Sequence, residues 1–137
     1  MKGYIYKISN PNMNENYIGS TKDYRKRIVS HKYNTNKCKS VGYDIPLYKF
    51  IRENGGWDNW ESEIIEEIDY DNKELLRKKE RSYINENPYS LNCVIPTRTK
   101  KEYYEDNKEK LKKYQREYER NKRERLKSQY LNKKYVK

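Results

Sequence analysis

The sequence lacks several features, and each absence narrows its class before any motif is considered. It has no alanine, one phenylalanine, one histidine and only two cysteines, Cys38 and Cys93. The cysteines match no metal-site spacing, so we expect reduced thiols in an intracellular protein. No apolar run approaches the ~18 residues of a membrane span, and the N-terminus does not resemble a signal peptide. We therefore expect neither a membrane protein nor a disulfide framework.

The abundant residues point to the coding sequence rather than to a mechanism. Lysine, asparagine and isoleucine are frequent, and the chain has 16 tyrosines. These residues have AT-rich codons, and alanine does not. We expect the source to be a virus, a phage, a mobile element or an AT-rich genome.

Charge is the strongest compositional signal. Charged residues make up 39% of the chain and hydrophobic ones only 33%, and the formal net charge is +11. A basic balance of this size predicts affinity for a polyanion, of which nucleic acid is the usual one; solubility alone is the alternative explanation. A length of 137 residues supports one small domain with an appendage.

The composition changes after Pro96. Residues 99–137 hold 15 lysines and arginines against 7 acidic residues, a net charge of +8, which leaves only +3 for residues 1–98. The second part contains no glycine or proline. We predict a domain over residues 1–98 and a basic, tyrosine-rich helical arm over residues 99–137.

The arm carries a weak repeat, since Tyr104-Glu105-Asp106-Asn107-Lys108 returns fourteen residues later as Tyr118-Glu119-Arg120-Asn121-Lys122. Fourteen residues are close to four helical turns, which predicts a solvated helix from about Lys101 to Leu131, roughly 45 Å long at ~1.5 Å per residue. Tyrosine, leucine and asparagine also recur at heptad spacing, but asparagine is too frequent for a strong coiled coil. A solvated or disordered tail, a DNA-binding arm and a helix that pairs with a second copy all stay open. The arm residues expected to contact nucleic acid are Lys112, Lys113, Arg116, Arg120 and Arg123.

The first part of the sequence predicts a small α/β domain with a three-stranded antiparallel sheet flanked by helices. Strands are expected at residues 3–8 and 16–20, joined by a polar hairpin loop, and at residues 61–69. In the third strand Ile64, Glu66 and Ile68 are expected to share one face and Ile65 to lie on the other.

Three helices are predicted around these strands. Asp23 should cap the first, which runs to about Tyr33, and Pro46 should begin the second, which ends at Asn54-Gly55-Gly56. Asn72 should open the third, and Pro88 should follow its end. Residues 91–95 are then expected to pack back as an extended segment. The apolar positions expected to face the core are Leu47, Phe50 and Ile51 in the second helix and Leu75, Leu76, Tyr83 and Ile84 in the third.

Several residues of this domain stand in a recognisable order. Tyr6, Tyr17-Ile18-Gly19, Arg27, His31, Glu80 and Asn92 follow one another at the approximate spacing of the GIY-YIG nuclease domain. The segments at 47–52, 56–60 and 63–67 resemble the middle section of its homing-endonuclease-like branch. The chain thus resembles this family over about residues 3–95. It departs in one place, because Tyr4 separates Gly3 from Ile5-Tyr6 where the family usually reads Gly-Ile-Tyr.

Glu80 is the sharpest candidate. Helical spacing places it beside Leu76 and Ile84, on the face expected to be buried, where a carboxylate is costly unless it is paired or binds a metal. A salt bridge to Arg27 or Arg77 would explain it from spacing alone. The resemblance implies instead that Glu80 is the sole protein ligand of one divalent ion, Mg²⁺ or Mn²⁺. Mg²⁺ suits such a site because it keeps several of its waters.

The resemblance assigns roles to the other motif residues, each of which also has an ordinary structural explanation. Arg27, one helical turn before His31, would contact the scissile phosphate, and His31 would accept a proton or organise hydrogen bonds. Tyr6 and Tyr17 are expected to face each other across the hairpin. Tyr6 would act as general base and Tyr17 would help to position the water, although a phenol with a pKa near 10 needs nearby positive charge for such a role.

The remaining candidates support this group. Gly19 would let the backbone approach the site closely, and Asn92 would brace the site by hydrogen bonds. Lys7, Lys22 and Lys26 would extend the basic surface toward the phosphate backbone.

The resemblance, together with the basic composition, implies a metal-dependent DNA endonuclease that hydrolyses phosphodiester bonds with an activated water. Because no large recognition domain is visible, we expect low sequence specificity on duplex or branched DNA. A catalytically silent nucleic-acid-binding protein on the same scaffold is the first alternative. A structural protein that oligomerises through the arm, for example as a homodimer, is the second.

Overall fold

The computed structural model describes residues 1–135. Within them the chain forms two compact units, one over Met1–Thr97 and one that begins at Arg98. Residues 136 and 137, the last two of the predicted arm, lie outside the described residues.

The first unit is built on a three-stranded antiparallel sheet. Its strands are β1 (Lys2–Ser9), β2 (Asn16–Thr21) and β3 (Glu61–Asp69), and their order β2-β1-β3 makes β1 the central strand. Successive side chains of a strand point to opposite faces, so Ile5 lies on one face of the sheet while Tyr6 and Ile8 lie on the other. All three are fully buried, which requires cover on both faces.

Three helices surround this sheet, as the sequence predicts. They are α1 (Tyr24–Asn36), α2 (Pro46–Glu53) and α3 (Lys73–Asn85). The Asp23 carboxylate accepts a hydrogen bond from the Lys26 amide at the start of α1, and the Asn72 side chain accepts one from the Glu74 amide at the start of α3. Each cap satisfies a backbone N–H that would otherwise lack a partner in the helix.

Each face of the sheet has its own apolar cluster. On one face Tyr6 and Ile8 pack with three residues of α2 and one that precedes β3, namely Leu47, Tyr48, Ile51 and Trp60. On the other face Ile5 and Ile18 pack with Tyr70 and with Leu76 and Ile84 of α3. Gly3 is needed on this second face, because a Cβ there would lie 2.8 Å from the Tyr70 ring and 2.9 Å from Leu76.

One of the predicted core positions, Leu75, is wrong, and two, Phe50 and Tyr83, are only partly buried. Leu75 is 54% exposed, because the buried stripe of α3 passes through Leu76 and Ile84 and leaves Leu75 about 100° to one side. Phe50 is half-buried against the Trp60 ring, and Tyr48 takes the buried position in α2 instead.

The predicted faces of the third strand are also wrong in part. The pairing of β1 with β3 slips by one residue, because Ile5 pairs with Glu66 while Tyr6 pairs with Ile64. The extra residue, Ile65, therefore lies in a bulge and packs with Ile68 against the α3 cluster. Ile64 lies opposite Tyr6 and is 45% exposed. The alternation of side chains between the two faces of a strand, with a period of two residues, cannot predict where a bulge adds a residue.

The second unit contains the long helix that the sequence predicts. This helix, α4, spans Lys100–Tyr135, and its 36 residues correspond to ~54 Å at ~1.5 Å per residue. Thr99 and Glu102 form a capping box, in which the Thr99 hydroxyl accepts from the Glu102 amide and the Glu102 carboxylate accepts from the Thr99 amide. No residue of α4 is buried. None of the helices within residues 1–135 is long and apolar enough to cross a membrane.

Candidate active site

Tyr6 and His31 form the buried centre of the site. The hydroxyl oxygen of Tyr6, on β1, lies 2.7 Å from Nε2 of His31, on α1, and the two side chains are 0% and 1% exposed. The Nε–H of Arg27 donates to the same Tyr6 hydroxyl at 3.2 Å. Arg27 precedes His31 by one helical turn, so both side chains reach β1 from the same side of α1.

Tyr48 supports His31 from behind. Its hydroxyl lies 2.8 Å from Nδ1 of His31, so both ring nitrogens of the histidine have partners. The sequence analysis missed this residue, treating α2 as a source of apolar contacts. The one available signal was a tyrosine beside Leu47, on the helix face predicted to be buried, because a buried tyrosine hydroxyl usually has a hydrogen-bond partner.

Tyr17 does not face Tyr6 across the hairpin, so that expectation is wrong. Gly19 is the direct partner of Tyr6, and Tyr17 pairs with Ile8. Tyr6 and Tyr17 are nevertheless diagonal neighbours on one face, with ring centroids 6.3 Å apart, and the Tyr17 ring lies 5.5 Å from that of His31. Both tyrosines therefore belong to the same aromatic group as His31.

Gly19 creates the space for the Tyr6 phenol. A Cβ at this position would collide with the Tyr6 hydroxyl and the ring carbon that carries it. Because Gly19 lies opposite Tyr6 in the register, the ring packs directly over its backbone. The glycine thus sets how closely the tyrosine can approach β2.

Asn92 binds the backbone of β2 next to Gly19. Its side-chain N–H donates to the Ile18 carbonyl at 2.7 Å, and its side-chain oxygen accepts from the Ile18 amide at 3.1 Å. The preceding residues run beside the same strand, since the Leu91 amide donates to the Asn16 carbonyl at 2.8 Å. Asn92 therefore fixes the strand that carries Tyr17 and Gly19.

Glu80 lies on α3, on the other side of β2. Its carboxylate accepts a hydrogen bond from the Ser20 hydroxyl at 2.5 Å, and it takes part in no ion pair among residues 1–135. The direct salt bridge to Arg27 or Arg77 that spacing alone would explain is therefore absent from this part of the chain. Ser20 was not singled out from the sequence, because a serine after Gly19 carries no signal of its own.

The exposed part of the site is a cleft of about 300 Å³. Tyr17, Arg27, Glu80 and Asn92 all line it, together with Tyr48 and the exposed thiol of Cys93. Tyr6 and His31 do not line this cleft, because they lie behind Arg27 and Tyr17. The cleft thus brings one cation and one carboxylate together in front of a buried tyrosine and histidine.

Burial sets the protonation states behind the cleft. Burial raises the pKa of Tyr6, and the nearby Arg27 opposes this without overcoming it. Burial, reinforced by the Arg27 charge, lowers the pKa of His31 to about 3, so the imidazole is neutral at neutral pH. Burial likewise raises the pKa of Tyr17. Burial lowers the pKa of the Arg27 guanidinium, but its hydrogen bond to Tyr6 acts in the other direction and the net pKa is raised. The site therefore contains neutral phenols, a neutral imidazole and a charged guanidinium.

Glu80 is the one acidic residue among those that line the cleft. Burial raises the pKa of its carboxyl, and the Ser20 hydrogen bond and the charges of Arg27 and Arg77 act in the opposite direction. No group of three or more His, Cys, Asp or Glu side chains that could hold a metal occurs within residues 1–135. A single half-buried carboxylate that opens onto a cleft fits an ion such as Mg²⁺, which commonly uses one or two carboxylates and completes its shell with water and phosphate.

The predicted basic residues are not all near this cleft. Lys7 lies next to Tyr6 in β1 and thus on the opposite face of the sheet, where it forms an ion pair with Glu63 at 3.1 Å. Lys22 and Lys26 are exposed around the start of α1. The five predicted arm residues, Lys112, Lys113, Arg116, Arg120 and Arg123, are exposed on α4, within the separate second unit.

Phosphodiester hydrolysis needs an activated water, a stabilised phosphoryl group and a neutralised leaving oxygen. The side chains of this cleft and of the buried pair behind it suit that chemistry. A tyrosine-rich sheet with a guanidinium and a lone carboxylate at one cleft defines a nuclease-type catalytic domain. Residues 2–92 match the GIY-YIG catalytic domain family. The chain belongs to this family of nucleases, which are generally dependent on a divalent metal ion.

Individual relatives agree with this assignment. The chain is 37% identical over 87 residues to intron-associated endonuclease 1 of Enterobacteria phage T4. This matched segment covers 63% of this chain and 33% of that protein. Its fold matches two solved structures of the catalytic domain of intron endonuclease I-TevI. One, a point mutant, has a TM-score of 0.59 at 30% identity and covers 72% of this chain and all of that one. The other has a TM-score of 0.52 at 32% identity and covers 66% of this chain and 98% of that one. The chain therefore spans a complete catalytic domain but only a third of the curated relative.

Proposed function

We propose that this protein is a metal-dependent DNA endonuclease that cuts one strand at each catalytic event, with low sequence specificity. The observation that carries the proposal is the joint placement of Arg27 and Glu80 on one cleft, in front of the buried Tyr6–His31 pair. The family membership of residues 2–92 and the named endonuclease relative support the same conclusion.

Arg27 is the residue that binds the scissile phosphate in this proposal. Its Nε–H is already donated to Tyr6, and the guanidinium also interacts with Tyr17. Its terminal amino groups are the donors offered to the non-bridging phosphate oxygens in this proposal. A guanidinium suits this task because it offers two parallel N–H donors and stays charged at all relevant pH values. Its positive charge stabilises the negative charge that develops on the phosphoryl group.

Tyr6 and His31 remove the proton of the attacking water. Because Tyr6 accepts from Arg27, its own hydroxyl proton is directed to Nε2 of neutral His31, and Nδ1–H of His31 then donates to Tyr48. When water gives its proton to the Tyr6 oxygen, the phenol passes its own proton to His31. The proton then resides on His31, whose pKa of about 3 makes this transfer costly while Arg27 stays bonded to Tyr6. Movement of Arg27 toward the phosphate removes part of that cost, because the Arg27 charge is one of the two causes of the low pKa. Since Tyr6 has no exposed surface, Arg27 must shift toward the phosphate before water reaches the hydroxyl.

Glu80 would hold the single divalent ion, Mg²⁺ or Mn²⁺, and Ser20 orients the Glu80 carboxylate. Such an ion would supply positive charge to the phosphoryl group and to the departing oxygen. Tyr17 positions the water at the edge of the cleft, and Gly19 and Asn92 hold the strand on which Tyr17 lies.

The arm provides sequence-independent affinity in this proposal. The basic residues expected to contact phosphate, Lys112, Lys113, Arg116, Arg120 and Arg123, fall on one side of α4 at about 100° per residue. Tyr104, Leu111, Tyr114 and Tyr118 form a stripe on the other side, and each acidic side chain of α4 is about 90° or more from the centre of that stripe. A duplex can therefore bind the basic side while the stripe pairs with a second copy, which would bring two catalytic domains to one DNA molecule. Tyrosine stacking on exposed bases would extend binding to branched DNA.

The test is nicking of supercoiled plasmid by the full chain, with Mg²⁺ or with EDTA. We expect nicking that requires the metal and is lost in Glu80→Gln, while Glu74→Gln, a change of an exposed carboxylate on the same helix, leaves it intact. Equal nicking by Glu80→Gln would overturn the assignment of the metal ligand. Salt-sensitive DNA binding with no nicking at any metal concentration would favour a binding protein. One dominant cut site on a long natural DNA would contradict low specificity.

A further inference from the structure

A second groove lies next to Glu80 and shares no lining residue with the cleft. Its volume is about 210 Å³, and it is lined by Ser20, Lys22, Tyr70, Lys73, Leu76 and Arg77. Three of these six residues are basic and none is acidic. Lys73 and Arg77 lie one turn apart at the start of α3, and Lys22 lies just after β2.

The basic residues of this groove differ from four other lysines of the first unit. Lys2, Lys7, Lys78 and Lys79 each form an ion pair with a glutamate. Among residues 1–135, no ion pair includes Lys22, Lys73 or Arg77. Three positive charges without an ion-pair partner around one small concave surface create a local potential that attracts an anion and repels a metal ion.

The groove is directly connected to the proposed active site. Ser20 lines the groove and donates its hydroxyl hydrogen bond to Glu80, which lines the cleft. The charge of Arg77 acts on the Glu80 carboxyl from the groove side, and that of Arg27 acts from the cleft side. Glu80 is therefore flanked by one basic group in each of two adjoining concave surfaces.

We propose that the groove of Lys22, Lys73 and Arg77 binds a second phosphate of the cut strand, next to the phosphate held by Arg27. This proposal rests on the proposed function, because it extends the path of the DNA backbone through the same site. The lysines and the guanidinium neutralise the phosphate, while Tyr70 and Leu76 offer an apolar floor for the adjoining sugar. Holding the strand on both sides of Glu80 fixes the scissile phosphate against translation along the backbone.

The test measures binding of the full chain to a fluorescent duplex in EDTA, at several salt concentrations, so that cleavage plays no part. Each phosphate contact contributes about −0.9 to the slope of log K against log salt. We expect Lys73→Ala/Arg77→Ala to reduce the magnitude of this slope by about 1, as for the loss of one phosphate contact, and Lys73→Ala/Arg77→Lys to recover part of the loss. Lys78→Ala, which removes an ion-paired lysine of the same helix, should leave the slope unchanged.

The outcomes separate this proposal from the nuclease itself. If the double variant keeps the slope of Lys78→Ala, the groove does not bind phosphate and the proposal is overturned, whether or not the protein cuts DNA. A changed Mg²⁺ requirement with an unchanged slope would mean that Arg77 acts only on Glu80, and this also overturns the proposal. If the slope falls but the wild-type protein never nicks plasmid, the groove stands as a DNA-binding site and the catalytic proposal fails. Circular dichroism melting confirms that each variant is folded.

Discussion

The Tyr6 hydroxyl oxygen lies 2.7 Å from Nε2 of His31, in a part of the domain with almost no access to solvent. Arg27 reaches the same hydroxyl from the cleft, and Tyr48 reaches the other ring nitrogen of His31 from α2. These four side chains form one continuous hydrogen-bonded chain from the surface to the interior. Through this chain, a buried pair can take part in a reaction at an exposed cleft.

Removal of the Tyr6 hydroxyl should abolish most activity and leave the fold intact. Tyr6→Phe preserves the ring in its apolar cluster but takes away the partner of both Arg27 and His31. We expect the nicking rate to fall by about 10²–10⁴-fold, the usual contribution of a general base. Loss of the buried hydrogen bonds should lower the free energy of unfolding by about 1–3 kcal/mol. Single-turnover nicking and urea unfolding measure the two effects.

Tyr24→Phe is the matched control for this change. The Tyr24 ring lies 6.0 Å from that of Tyr6, and its hydroxyl donates to Ser62 at 2.8 Å, so the variant also loses a hydroxyl from the same aromatic group. We expect a comparable loss of stability with little loss of rate. Equal rates in the two variants would show that the Tyr6 hydroxyl is structural.

Tyr48→Phe should lower the rate without changing DNA affinity. The change removes the acceptor for Nδ1–H of His31, and the tautomer with its proton on Nε2 then becomes more populated and cannot take the Tyr6 proton. A hydrogen bond worth about 1 kcal/mol corresponds to about a fivefold loss in kcat, with KM unchanged. Tyr43→Phe is the control, because its ring stacks on Arg52 and its hydroxyl has no hydrogen bond within residues 1–135. A change confined to KM would exclude this role.

The fold was largely predictable because its signals are local. Capping residues Asp23 and Asn72, the proline at the start of α2 and the glycines at its end each fix one boundary by their own chemistry. The bulge at Ile65 and the exposure of Leu75 were not predictable, because both depend on how one element packs against another. The same limit explains why the sequence wrongly predicted that Tyr6 and Tyr17 are direct cross-strand partners. A hairpin register depends on the loop geometry, which the polar loop sequence does not specify.

For the candidate site, the sequence predicted which residues belong to it and their order along the chain, but not most of the contacts among them. Arg27 and His31 share a helix face by spacing alone, and the resemblance supplied the rest. The contacts of Ser20 and Tyr48 arise from tertiary structure, since each bonds to a residue 60 and 17 positions away, respectively. Periodicity within one element contains no information about such pairs.

Gly19→Ala should damage both stability and activity through Tyr6. The new methyl group would collide with the phenol, and the ring would have to leave its position over β2. We expect a loss of about 1–3 kcal/mol, as for other overpacked core positions. The same substitution in a Tyr6→Val background should cost clearly less, because the colliding atoms are gone. An equal cost in both backgrounds, measured by urea unfolding, would contradict this origin of the glycine requirement.

His31 should make the native state less stable as the pH falls. Its pKa is about 3 in the folded protein and about 6.5 in an unfolded chain. Below pH 6.5 the unfolded chain therefore binds a proton that the native protein does not. Between pH 7 and pH 5 this difference should remove about 2 kcal/mol from the free energy of unfolding.

His31→Gln isolates this contribution, because it eliminates the titrating ring while Glu80, whose raised pKa acts in the opposite direction, remains in both proteins. We expect the wild-type protein to lose more stability than the variant over the same pH range, as measured by urea unfolding at each pH. Parallel pH profiles would show that the His31 ring is already accessible to protons in the native state.

Ser20→Ala should raise the Mg²⁺ concentration needed for nicking without removing activity. Ser20 donates to the Glu80 carboxylate and so fixes its orientation. Residues that orient a metal ligand typically contribute 10–100-fold in metal affinity or activity. We expect the Mg²⁺ concentration for half-maximal nicking to rise by roughly tenfold or more, while the rate at saturating Mg²⁺ changes little. Ser62→Ala, which removes a serine hydroxyl that accepts from Tyr24 instead, should leave the Mg²⁺ titration unchanged. If Ser20→Ala lowers the saturated rate and leaves the Mg²⁺ midpoint where it was, the serine acts on the phosphate or the water, and Glu80 does not depend on it for metal binding.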